Sequence, residues 1–63
     1  MRTFLIYYTF ITQLGVRGDG NAYVDLPDGQ KISRAWVEAI ERELQETRSY
    51  RSAVVVNIVE LEQ

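Results

Sequence analysis

From residue 2 to residue 13 the chain holds no glycine or proline and is dominated by aromatic and β-branched residues. Such a run predicts a β-strand, because these side chains pack well on a pleated surface. Its even positions are Phe4, Ile6, Tyr8 and Phe10; its odd positions are Leu5, Tyr7, Thr9 and Ile11. Successive strand residues point to opposite faces, so the more apolar even set is assigned to the core. The odd face is still half apolar. Residues 15–20, Gly-Val-Arg-Gly-Asp-Gly, read as a turn in which three glycines supply positive φ. Alternation resumes over residues 21–26, with Ala22, Val24 and Leu26 on one side and Asn21, Tyr23 and Asp25 on the other. The two strands form a hairpin. Pro27-Asp28-Gly29 closes the second as a β-turn, with proline expected at the first central position.

The period then changes. Ser33 is an N-cap candidate, and Ile32 and Val37 stand at hydrophobic-staple spacing. Trp36, Val37, Ile40 and Leu44 share a stripe of roughly 100°, the buried face of a helix expected to end near Thr47 or Arg48. Glu38, Glu41, Arg42, Gln45 and Glu46 lie outside that stripe, and Glu38 is expected to pair with Arg42. Residues 48–51 read as a polar connection and 53–59 as the last strand. Keeping Asn57 off the core turns Val54, Val56 and Ile58 inward and Val55 and Val59 outward. Glu60 to Gln63 reads as a polar tail.

The order is strand, strand, helix, strand. The predicted fold is α+β, a single domain over 1–63 with ββαβ order. Its antiparallel sheet has the longest, most apolar strand in the centre, giving order 2-1-3 with the helix on one face. The alternative order, 1-2-3, needs a right-handed parallel crossover.

Composition sharpens this picture. A 63-residue chain buries a modest fraction of its surface, and with no Cys and no His it has neither disulfide nor zinc staple. An apolar content of 46% must supply the core. The missing cysteine fits a reducing cytosol. The aromatic N-terminal run lacks a cleavage site and is too short to span a membrane. Residues 36–63 carry six glutamates against Arg42, Arg48 and Arg51, so the second half is acidic. That disfavours nucleic acid as a partner and favours a basic protein surface.

Catalytic constellations are scarce. Without His or Cys, triads and imidazole acid–base chemistry are excluded. Ser33 beside Lys31 reads as a helix cap, and Asp25 and Asp28 as turn residues. Asp19-x-Asn21 fails as a calcium loop because Tyr23 and Val24 hold the positions that need a ligand and a glycine. The glycines of 15–20 lack the helix and Lys-Ser/Thr ending of a phosphate cradle. Arg17-Gly18-Asp19 spells the adhesion tripeptide, which turns produce readily by chance. No cofactor and no metal is expected, and no enzymatic activity.

The aromatic strand Phe4 to Phe10, the Gly20-Asn21-Ala22-Tyr23-Val24 return, the acidic helix and the closing Val54 to Leu61 together resemble the small accessory proteins encoded by phages and prophages. Among these the chain is similar to anti-CRISPR inhibitors in size, acidity and lack of catalytic residues. The resemblance implies a non-enzymatic inhibitor in the bacterial cytoplasm that binds a CRISPR effector subunit and blocks its access to DNA. Two surfaces are candidates for binding. One is the acidic helix face, Glu38, Glu41 and Glu46, where charge reversal at Glu38 and Glu41 should abolish binding and spare the fold. The other is the outer sheet face, expected to show Leu5, Tyr7, Thr9, Ile11, Tyr23, Val55 and Val59. Its tyrosines, Tyr7 and Tyr23, also allow a single-stranded nucleic-acid binder, and its apolar residues allow a homodimer.

Overall fold

A computed structural model describes residues 1–61 of the chain; Glu62 and Gln63, the end of the expected polar tail, lie outside the described residues. Strand β1 spans Arg2–Thr12, β2 Arg17–Leu26, helix α1 Arg34–Arg48 and β3 Tyr50–Leu61. The sheet is antiparallel in the order β2-β1-β3. The ββαβ reading and the strand order agree with the sequence; several boundaries and one strand's phase do not.

The even face of β1 is the core. Phe4, Ile6 and Tyr8 are buried, with Leu26, Ala53, Ile40 and Leu44 completing the buried set. The β1–β2 hairpin is tighter than expected. Thr12 N donates to the Val16 carbonyl at 2.8 Å, and Gly15, at φ 84°, is the glycine that makes the turn. Gly18 and Gly20 are not turn residues. They belong to β2, opposite Phe10 and Tyr8, and neither has a positive φ. Their role is space: a Cβ on Gly20 would sit 2.8 Å from the Tyr8 ring, and one on Gly18 2.5 Å from the Phe10 ring. Inner-face residues of β2 therefore grow along the strand, Gly18, Gly20, Ala22, Val24, Leu26, as the rings of β1 give way to the base of the sheet.

Pro27 is the first residue of its turn rather than the first central one. Its carbonyl accepts from Gln30 N at 3.2 Å, and Gly29 takes the positive φ of 86°.

Ser33 caps α1 as expected, its Oγ accepting from Trp36 N at 3.2 Å. Trp36 meets the edge of Phe4, with ring centroids 5.4 Å apart. Glu38 pairs with Arg34 at 3.0 Å, not with Arg42. The helix ends at Arg48, and the single residue Ser49, in the left-handed conformation at φ 57°, turns the chain into β3. The polar connection expected over 48–51 is thus one residue long. Tyr50 is already strand, stacked on Phe10 at 4.2 Å between centroids.

β3 corrects the expected phase. Its register on β1 shifts between Tyr7 and Tyr8, where Val56 is the extra residue, and again between Ile11 and Thr12, where Arg51 is. A bulge inserts one residue and reverses the alternation on either side of it. Val55 therefore joins Ala53 on the core face, opposite Tyr8 and Phe10, and Ile58 faces inward opposite Ile6. Val54 and Val56, expected inside, are exposed. The expected alternation failed because it ran unbroken through residues 53–59.

Candidate interaction surfaces

The position of α1 follows from the one-residue joint. With only Ser49 between helix and strand, α1 must return alongside β3, and β3 is the strand it packs against most closely. Glu41 fastens the two: its carboxylate accepts from Val55 N, the residue next to the bulge, at 2.8 Å. Helix and β3 thereby approach, while β2 meets the helix only through side chains such as Ala22 and Val24. The far side of the helix opens as a groove.

That groove, about 310 Å³ in volume, runs between α1 and β2. Ile40 and Leu44 form its helix wall with Glu43, Thr47 and Arg48 at the rim. Its other wall is Ala22, Tyr23, Val24 and Asp25. These four are consecutive, so their side chains alternate between the two faces of the sheet. What they present in common is the edge of β2, which among the described residues pairs only with β1. An edge strand offers unpaired N–H and C=O groups to another strand.

The outer sheet face is the second surface. Pairing registers place its side chains in five rows across β2, β1 and β3: Asp25–Thr3–Leu61, Tyr23–Leu5–Val59, Asn21–Tyr7–Asn57, Asp19–Thr9–Val54 and Arg17–Ile11–Ser52. Val54 takes the place expected for Val55. Tyr23 is 71% exposed and Tyr7 40%. Among the paired positions of this face charge lies on β2: Arg17 at one end, Asp19 within, and Asp25 at the other end, where it accepts from Thr3 Oγ1 at 2.9 Å. A single cation against two carboxylates is the reverse of what a phosphate backbone requires.

The acidic helix residues do not form one surface. Glu38 is tied to Arg34, Glu41 is half-buried against β3, and Glu46 is exposed. Tyr7 and Tyr23 share the outer face as expected, on neighbouring rows. Sequence reasoning missed the groove and its residues Glu43 and Asp25. The one available signal was the small side chain of Ala22 on the inner face of β2, which leaves room between that strand and the helix.

Ionisation is perturbed at two places away from these surfaces. Burial first, and then the neighbouring Tyr50, holds the Tyr8 phenol above its ordinary value. The hydrogen bonds from Arg2 to Glu60, at 2.9 and 3.0 Å, hold the Glu60 carboxyl below its own. Among the described residues no group of three or more acidic side chains is arranged to hold a metal ion, and no helix is long and apolar enough to cross a membrane. No family model, curated protein or solved structure matches the chain, so the geometry above carries the functional reading.

Proposed function

We propose that the domain is a non-enzymatic binding module that captures an extended segment of a protein partner along the β2 edge, beside α1. The observation that carries this reading is the groove wall made of four consecutive β2 residues. A segment added there continues the sheet through main-chain hydrogen bonds, while alternate side chains drop into the apolar space by Ile40 and Leu44. Glu43 and Arg48 at the rim offer one charge of each sign to the side chains of the captured segment. Binding of this kind inhibits by occupation. The resemblance to anti-CRISPR proteins makes a CRISPR effector subunit the partner to try first, with loss of DNA access as the consequence.

The test is co-purification with type I effector complexes, coupled to a DNA-binding competition. Thr47→Trp, which fills the groove from an exposed position, should abolish binding with the circular dichroism spectrum unchanged. If Glu46→Lys abolishes binding and Thr47→Trp does not, the acidic helix surface is the docking site. Absence of both binding and DNA protection removes the effector as partner.

A further inference from the structure

We propose that the outer sheet face is occupied by a second copy of this chain, related by a two-fold axis that lies across the strands through the Asn21–Tyr7–Asn57 row. The proposal rests on the row order of that face and is independent of the groove. A two-fold in this position exchanges the first row with the fifth and the second with the fourth. Arg17 of each copy then lies over Asp25 of the other, so the charged ends of β2 meet their opposites twice. Val59 lies over Val54, Leu5 over Thr9, and Tyr7 over Tyr7 at the centre. The paired positions of β1 and β3 carry no charge, so the centre of the contact is neutral and the ion pairs lie along the β2 margin, with Arg51 beside the last row of β3.

The other face-to-face two-fold, with its axis along β1, stacks β2 on β3. It sets Asp25 over Leu61, Asp19 over Val54 and Arg17 over Ser52, leaving all of these charges without partners. Desolvating unpaired charge is unfavourable; the first arrangement leaves only Asp19, which lies over Tyr23, without an opposite charge, against all three here, and this selects it. Sheets that pack face to face cross at about 30°, with layers roughly 10 Å apart.

The size of the face sets the strength. Strand spacing and rise give a surface about 30 Å by 14 Å, and with side-chain relief two copies together bury on the order of 1,000 Å². That is the lower end of a specific interface, so the dimer is concentration-dependent rather than obligate. Each helix lies on the outside of the resulting four-layer α-β-β-α assembly. Both β2 edges stay open, and the dimer presents two grooves.

Sedimentation velocity of the full chain, from low micromolar to millimolar concentration, tests this. The expected result is a shift from monomer to dimer mass with rising concentration. Val59→Lys should hold the chain monomeric throughout, and Arg17→Asp should weaken association at least tenfold. Combining Arg17→Asp with Asp25→Arg should restore it. Circular dichroism confirms that each variant is folded, and Val59 and Arg17 are exposed enough to change without touching the core. A wild-type chain that stays monomeric at millimolar concentration overturns the proposal. So does dimerisation that Val59→Lys leaves intact, or a charge swap that fails to recover what Arg17→Asp loses.

Discussion

β2 and β3 pair antiparallel with the same central strand, yet β2 keeps one register from Arg2–Leu26 to Ile11–Arg17 while β3 shifts twice. The difference lies in what each must accommodate besides β1. A short hairpin joins β2 to β1, and α1 does not approach β2 closely. Its alternation is therefore free to run unbroken. β3 is joined to α1 by one residue and donates a hydrogen bond to a mid-helix carboxylate, so it must follow the helix as well as the sheet. Bulges absorb that second demand, since an extra residue bends and twists the strand locally. A strand serving one neighbour is regular; a strand serving two is not.

The contrast is sharpest when equivalent apolar positions are truncated. Leu26→Ala, in β2 and 1% exposed, should cost about 2–5 kcal/mol in urea unfolding. Val56→Ala, at the β3 bulge and 60% exposed, should stay within about 0.5 kcal/mol. Similar losses at the two sites would mean that β3 runs without its bulge. Gly20→Ala comes next. Tyr8 is buried and has little room to yield, so the added methyl should cost about 1–3 kcal/mol, read from the same unfolding curves.

For β3, the matching test is Glu41→Ala. Loss of the acceptor for Val55 N should destabilise by about 1–3 kcal/mol and speed hydrogen exchange at Val55 selectively. Glu38→Ala removes only an exposed ion pair and should change stability by less than about 0.5 kcal/mol. Equal effects at the two glutamates would remove the reason given for the β3 geometry. In the stabilising direction, Ser49→Gly relieves a left-handed residue at the joint and should add about 1 kcal/mol.

The smallest effects are ionic. Tyr8 has a raised pKa in the fold, so its contribution is complete below the unfolded tyrosine value and lost as pH rises through the folded one. Tyr8→Phe should flatten that alkaline slope. Glu60 is the mirror case: its pKa is lowered, so its contribution is present above the unfolded glutamate value and lost as pH falls through the folded one. Arg2→Gln should remove most of that acidic slope and little else, because the pair is exposed.

β1, α1 and the strand order were legible because each rests on a periodicity long enough to fix its phase. Ser33 was legible because a cap is a local feature. The phase of β3 was not: Val54, Val55 and Val56 are chemically the same residue, so nothing in the sequence marks which one a bulge displaces. Gly18 and Gly20 were misread for a related reason. Glycine signals either a turn or a close approach, and the rings that come close are eight and twelve residues away on another strand. Of the candidate surfaces, the odd face of β1 could be read by counting. The groove could not, because it depends on where a one-residue joint sets the helix.

The graded inner face of β2 has a consequence for how the hairpin forms. Sliding β2 by two residues in one direction would bring Ala22 under Tyr8 and Gly20 under Phe10. Tyr8, Ile6 and Phe4 would each meet a larger side chain than they do in the native register, while Phe10 would still face a glycine. Sliding the other way would set Gly18 against Tyr8 and leave Gly20 against Ile6, opening a void where the core is tightest. A two-residue slip keeps the polar and apolar faces correct, and so escapes the usual penalty for misregistration. Here the gradient supplies the missing penalty, and the hairpin discriminates its own register by size.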